Sequence, residues 1–122
     1  MELQLLPQQF AVCQLTTLTQ VDWQAPYCFL AKTETELSLV CPENNLPEQT
    51  LKCERGWRAL KISGTLDFGL VGILAEIAGL LAEQQISIFA VSTYDTDYIL
   101  LKAAALSNAL SALRTHGYNI TE

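Results

Sequence analysis

The stretch Ile86 to Leu101, ISIFAVSTYDTDYILL, constrains the fold more than any other. Two apolar runs rich in β-branched and aromatic residues, Ile86 to Val91 and Tyr98 to Leu101, flank a polar knot of hydroxyls, a phenol and two carboxylates. That pattern spells a β-hairpin. In its first arm both alternating sets are apolar, with Ile86, Ile88 and Ala90 on one side and Phe89 and Val91 on the other. A strand with two apolar faces is covered on both. In a chain of 122 residues the second cover is expected from another copy of the protein or another half of the same chain. Function is then sought at the hairpin's polar end.

Thirteen acidic against seven basic residues give a net charge of −6, which opposes the phosphate neutralisation behind most nucleic-acid affinity. No nucleic-acid partner is expected. The start Met1-Glu2-Leu3-Gln4 lacks a basic region followed by an apolar run, and the most apolar stretch, Leu70 to Leu81, is interrupted by Gly72, Glu76 and Gly79. Neither secretion nor membrane insertion is expected, and a cytoplasmic setting is. The cysteines at 13, 28, 41 and 53 form no Cys-x-x-Cys pair, and all but Cys53 lie in or at the end of apolar runs, as small core residues do. With His116 the only histidine, no metal site or cofactor is expected.

In chain order, Phe10 to Leu15 reads as a strand behind a short apolar lead-in at Leu3 to Leu6, and Tyr27 to Ala31 with Leu37 to Cys41 as a second hairpin. Gln49 to Arg55 is polar and reads as exposed; a strand begins near Trp57 and runs to Gly64. Leu70, Ile73, Leu74, Ile77, Leu80 and Leu81 then keep the spacing of an amphipathic helix, with Asp67 placed to cap it. Leu106, Leu110 and Leu113 mark a second helix from about Ser107 to Gly117, and Tyr118 to Ile120 a closing strand. The second half therefore spells βαββαβ, an antiparallel four-stranded sheet with both helices on one face.

Thr35-Glu36-Leu37-Ser38-Leu39-Val40 aligns with Thr96-Asp97-Tyr98-Ile99-Leu100-Leu101 at an offset of 61 residues. The first half then reads as a shortened copy of the second. The expected fold is α+β, with tandem ferredoxin-like units: an abbreviated one at residues 1–55 and a complete one at residues 56–122.

Asp95 and Asp97 would share a face of an extended strand, as paired acid/base carboxylates can. The chain lacks a second histidine, a Gly-x-Ser-x-Gly elbow and a phosphate-cradling loop, so no enzyme is expected. Two readings of the knot remain. Ser92, Thr93, Asp95 and Thr96 can simply satisfy local backbone. Alternatively Asp97 holds a ligand's cation and the backbone near Gly72 its anion, which together suit a zwitterionic amino acid.

The strings GWRALKISG and LDFGLVGILAEIAGLLAEQQISIFAVSTYDTDYILLK, with TETELSLVCPE upstream, resemble the ACT-domain proteins related to the arginine-sensing CASTOR proteins, including short bacterial members. The resemblance implies paired ACT modules that sense a small molecule without catalysis, the ligand lying between two modules. Carried onto this chain, Asp67, Phe68, Gly72 and Ile73 of one module would meet the ligand with Thr93, Tyr94 and Asp97. Ser87 and Ile88 of the facing module would offer backbone N–H and C=O. Tyr94 stands where the sensors commonly have phenylalanine, so arginine is not the assumed ligand. An RNA-recognition domain shares the βαββαβ order, but its stacking aromatics and Lys/Arg belong on the central strands, whereas this chain has few aromatics there and a negative balance. The rival reading is a dimerisation or protein-interaction module with an empty pocket, using Trp57 and the double-apolar strand as contact surface; Trp57 reads equally as core. A homodimer is expected on either reading.

Overall fold

The computed structural model describes residues 2–62 and 72–122. In chain order its elements are strands β1 (Glu2–Leu5), β2 (Phe10–Gln14), β3 (Phe29–Lys32), β4 (Leu37–Pro42) and β5 (Lys52–Ile62), helix α1 (Ile73–Glu83), strands β6 (Ile88–Ser92) and β7 (Asp97–Lys102), helix α2 (Leu106–Thr115) and strand β8 (Asn119–Thr121). One 3-10 turn follows β4 at Glu43–Asn45 and another follows β7 at Ala103–Ala105. Two compact units emerge, one of Met1–Pro7 with Arg58–Glu122 and one of Gln8–Trp57. None of the described helices is long and apolar enough to cross a membrane.

The larger unit has the expected α+β, ferredoxin-type layout with one addition. Its strand order is β6-β7-β5-β1-β8, so β1 is inserted between β5 and β8. β1 runs antiparallel to β5, with Leu3 opposite Ile62, and parallel to β8, with Leu3 opposite Ile120. Residues 1–7 therefore join the second unit, whereas the sequence reading gave them to the first. The cause is the alternation Glu2-Leu3-Gln4-Leu5, which buries both leucines on the helix-covered face.

That face holds the core. Leu3, Leu5, Leu60, Ile62, Ile99 and Leu101 from the sheet meet Ile77 and Leu81 of α1 and Ala109 and Leu113 of α2, all within one cluster. The helical spacing read from the sequence is the one that packs, with Ile73, Leu74 and Leu80 resting on the same cluster. Leu70 lies outside the described residues.

The smaller unit has no α-helix; its strands run in the order β3-β4-β2-β5, around a core of Cys13, Leu15, Val21, Leu39 and Cys41. Lys52 to Arg55, expected to be merely polar and exposed, form the first part of β5. Their side chains are exposed, but their backbone pairs with β2, with Val12 opposite Glu54, Cys13 opposite Cys53 and Gln14 opposite Lys52. The register slips between Phe10 and Val12, where Gly56 takes a φ of +82° and donates its N–H to Glu43 Oε2 at 2.7 Å. An extra residue in the left-handed region is what a bulge requires, and glycine supplies it without a Cβ penalty. Trp57 is buried opposite Phe10, so it is no exposed contact surface.

The two hairpins repeat each other, but at an offset of 60 residues rather than 61. β4 and β7 both have six residues and start at Leu37 and Asp97, and the 3-10 turns after them start at Glu43 and Ala103. The turns carry the same bond: Thr33 N–H donates to Glu36 O at 2.9 Å, and Thr93 N–H to Thr96 O at 2.8 Å. At this offset Leu39 and Cys41 match Ile99 and Leu101, each pair facing its own unit's core. A one-residue slip would turn every strand side chain to the wrong face.

Burial lifts the Cys13 thiol from 9.0 to about 11 and the Cys41 thiol to about 12. Burial and the hydrogen bond that Tyr118 donates to Glu76 lift that phenol from 10.0 to about 12. Raised values mean that the fold favours the protonated forms. Their stabilisation is complete below pH 9.0 and is lost as pH rises to about 12. Urea midpoints measured across that range should fall, and Tyr118→Phe should fall less steeply between pH 10.0 and about 12.

Candidate functional site

The β6–β7 hairpin ends in a four-residue connection, Thr93 to Thr96, closed by the pair Ser92 and Asp97. Inside it the Thr93 hydroxyl donates to Thr96 O at 3.1 Å and accepts the Thr96 N–H at 3.4 Å. Thr96 is the buried polar residue of the turn, and its hydroxyl donates to Ile62 O at 2.7 Å, tying the hairpin to the end of β5. Thr96→Val keeps the shape and strands that buried carbonyl, at an expected cost of about 1–3 kcal/mol of unfolding free energy. A denaturation midpoint equal to wild type would show that another donor, such as water, replaces the hydroxyl.

Ser92 Oγ donates to Asp97 Oδ1 at 2.5 Å, a charge-assisted bond that fixes the half-buried carboxylate on the hairpin's end. Tyr94 stands out from the turn with 87% of its surface exposed. The structure thus brings Thr93, Tyr94 and Asp97 onto one hairpin end. It also gives Thr93 a duty in the turn, because Thr33 occupies the same place in the other hairpin and accepts the Glu36 N–H at 3.2 Å. Ser92 was read only as a polar turn residue; the signal for its pairing with Asp97 lay in the hairpin register.

Asp67 and Phe68 fall outside the described residues. Gly72 is the residue flanking α1, with a φ of +85° and no side-chain capping bond. A Cβ there would meet no described atom within 4 Å, so among the described residues the glycine answers to backbone conformation rather than to crowding. Its carbonyl accepts the Glu76 N–H at 2.8 Å and opens the helix. Ile73, the first helical residue, is half-buried against the core.

Ser87 is exposed, while Ile88 packs on the core opposite Leu101. Ile88 lies four residues along β6 from Ser92, about 13 Å at strand rise. One amino-acid-sized ligand cannot span both ends of this strand. Among the described residues β6 pairs with β7 alone. Because Thr93 and Thr96 form a hydrogen-bonded pair, alternation points the backbone groups of Ser92, Ala90 and Ile88 to the open edge.

Among the described residues, surface grooves also lie elsewhere. One of about 350 Å³ runs between the helices, past Leu80, Glu83, Ser111 and His116. Another, of about 310 Å³, is lined by Gln14, Glu36, Lys52 and Glu54 in the smaller unit. Neither contains a sequence-predicted site residue. Among the described residues there is no group of three His, Cys, Asp or Glu placed to hold a metal.

Known proteins share this fold. Protein Atu0741 of Agobacterium tumefaciens is similar in structure over 98% of this chain and 90% of its own, with a TM-score of 0.87 and 25% identity. A Vibrio cholerae protein, VC0802, is similar over 93% and 88%, with a TM-score of 0.69 and 18% identity. The regulatory subunit of aspartate kinase from Thermus thermophilus, in its ligand-free form, shares the fold over 93% and 95% of the two chains, with a TM-score of 0.66 and 8% identity. No curated protein matches the sequence. The family model described as the ACT domain, a regulatory module, matches residues 52–115, which hold β5 through α2. The chain belongs to the ACT-domain family.

Proposed function

We propose that the protein is a non-enzymatic regulatory module that binds a small molecule, an amino acid, between paired ACT units, in the manner of the CASTOR-related proteins. Asp97 holds the ligand's ammonium group, and the backbone at Gly72 and Ile73 its carboxylate. Tyr94 covers it, and Ser87 and Ile88 of a facing unit complete the site, with Asp67 and Phe68 as further contacts. The carrying observation is the difference between the two hairpins. They share the turn and the Thr33 and Thr93 bonds, so those are explained by folding, whereas the position of Asp97 is held by Leu37 in the other hairpin. A carboxylate offers about four lone-pair sites, and Ser92 occupies one of them.

On this reading Gln8–Trp57 is an abbreviated ACT unit that keeps the second hairpin and lacks both helices. The facing unit is a second copy of the chain, docked along the open edge of β6 and beside α1, and the protein works in the cytoplasm. The 13 Å between Ile88 and Ser92 supports this, since one strand cannot serve both ends of a small ligand. Light scattering should then give twice the 13.5 kDa chain mass. A monomer at micromolar concentration would remove the facing unit.

The test is a thermal-shift screen of the twenty amino acids. A ligand at 100-fold its dissociation constant should add about 2.7 kcal/mol of stability. If none shifts the transition, the module dimerises without a ligand, a reading that the mutual satisfaction of Ser92 with Asp97 and Thr93 with Thr96 would then explain.

A further inference from the structure

All four cysteines lie in the smaller unit, and two of them stand directly across from each other. Cys13 of β2 is paired in register with Cys53 of β5. Residues opposite one another in an antiparallel pair have Cα atoms about 4.5–5.5 Å apart and side chains on the same face. That separation falls within the range of about 4.4–6.8 Å spanned by disulfides. Cys13 is 3% exposed and packed with Leu39 and Cys41, whereas Cys53 is exposed. One thiol meets solvent and its neighbour is sheltered. From this geometry we propose that Cys13 and Cys53 form a reversible cross-strand redox pair, independent of the ligand reading.

With a hydroperoxide as oxidant the chemistry balances. The Cys53 thiolate attacks one peroxide oxygen, the O–O bond breaks, and the departing hydroxide (or alkoxide) takes a proton, leaving a sulfenic acid on Cys53. The Cys13 sulfur then attacks the Cys53 sulfur; the S–O bond breaks, and the leaving hydroxide takes the Cys13 proton to form water. Two thiols give up two electrons, and the peroxide accepts them. Burial raises the Cys13 thiol to about 11, so the closing step should quicken with pH toward that value. The bridge staples β2 to β5 and closes the chain between residues 13 and 53, so the oxidised protein should melt at a higher temperature.

The test oxidises the native, folded protein with one equivalent of hydrogen peroxide and reads intact mass and linked peptides without reductant. Trypsin leaves Cys13 and Cys28 together in the fragment ending at Lys32 and Cys53 in the short fragment ending at Arg55, so mapping is done in Cys28→Ser. The expected result is a mass lower by about 2 Da, the two hydrogens lost, with the two fragments joined and thiols restored by dithiothreitol. Cys53→Ser, at an exposed position, should fold normally and lose the bridge, while Cys28→Ser keeps it. Overturning results are a mass raised by about 32 Da from sulfinic acid at Cys53 alone, a Cys53–Cys53 link between chains, or bridging only in urea.

Discussion

Leu101→Ala is expected to lower the unfolding free energy by about 2–5 kcal/mol, a large share of the roughly 5–15 kcal/mol that holds a domain together. Leu101 is 0% exposed on β7, opposite Ile88 and among the strand and helix side chains of the main core. Truncation leaves a cavity bounded by residues from both helices and from the sheet, which cannot all close around it. Leu51→Ala, at 60% exposure, should stay within about 0.5 kcal/mol of wild type and serves as control. Urea unfolding followed by circular dichroism measures both. A Leu101→Ala loss below about 1 kcal/mol would mean that the site collapses freely and that the core is less tightly fixed than its burial indicates.

Asp97→Asn should weaken the amino acid found in the screen by about 10- to 150-fold, the loss of a charge-assisted bond of about 1.5–3 kcal/mol. The side chain keeps its shape and can still accept from Ser92, and the position is half-exposed at the end of a hairpin. Stability should therefore move by less than about 1 kcal/mol. Calorimetric titration and unfolding of the same sample separate the two effects. A variant that unfolds far more readily yet binds as wild type would identify the carboxylate as a cap of the hairpin and remove it from the ligand site.

The sequence carried the parts whose signals are local. The helical stripe around Ile77 and Leu81 and the two hairpins each announce themselves within about a dozen residues, because side-chain period alone separates a 3.6-residue repeat from alternation. Legibility fails where pairing is long-range or backbone-driven. Nothing near Leu3 says that its parallel neighbour is Ile120, and the polar string Lys52 to Arg55 becomes strand only because β2 offers it hydrogen-bond partners. The sequence repeat lies one residue out of register, since Thr35-Glu36 and Thr96-Asp97 match hydroxyl with hydroxyl and acid with acid only at 61, whereas at 60 Glu36 meets Thr96 and Leu37 meets Asp97; the strand starts and the turn bonds of Thr33 and Thr93 decide for 60. At the candidate site the same limit holds. Residue types indicated Asp97 and Tyr94, while the Ser92 contact and the left-handed φ of Gly72 belong to three-dimensional geometry.

The insertion of β1 beside β8 bears on how the chain assembles as it leaves the ribosome. Asn119 and Glu2, joined by a side-chain hydrogen bond, are 117 residues apart. The smaller unit is drawn from one unbroken run, Gln8–Trp57, and its pairings are short-range enough to form early. Leu3 and Leu5, made before most of their unit, keep one flank of their strand unpaired until Asn119–Thr121 is available. Until then β1 keeps an open flank with two leucines on one face, the kind of edge that chaperones hold and that neighbouring nascent chains can capture. The order of manufacture and the order of completion are opposite in this unit.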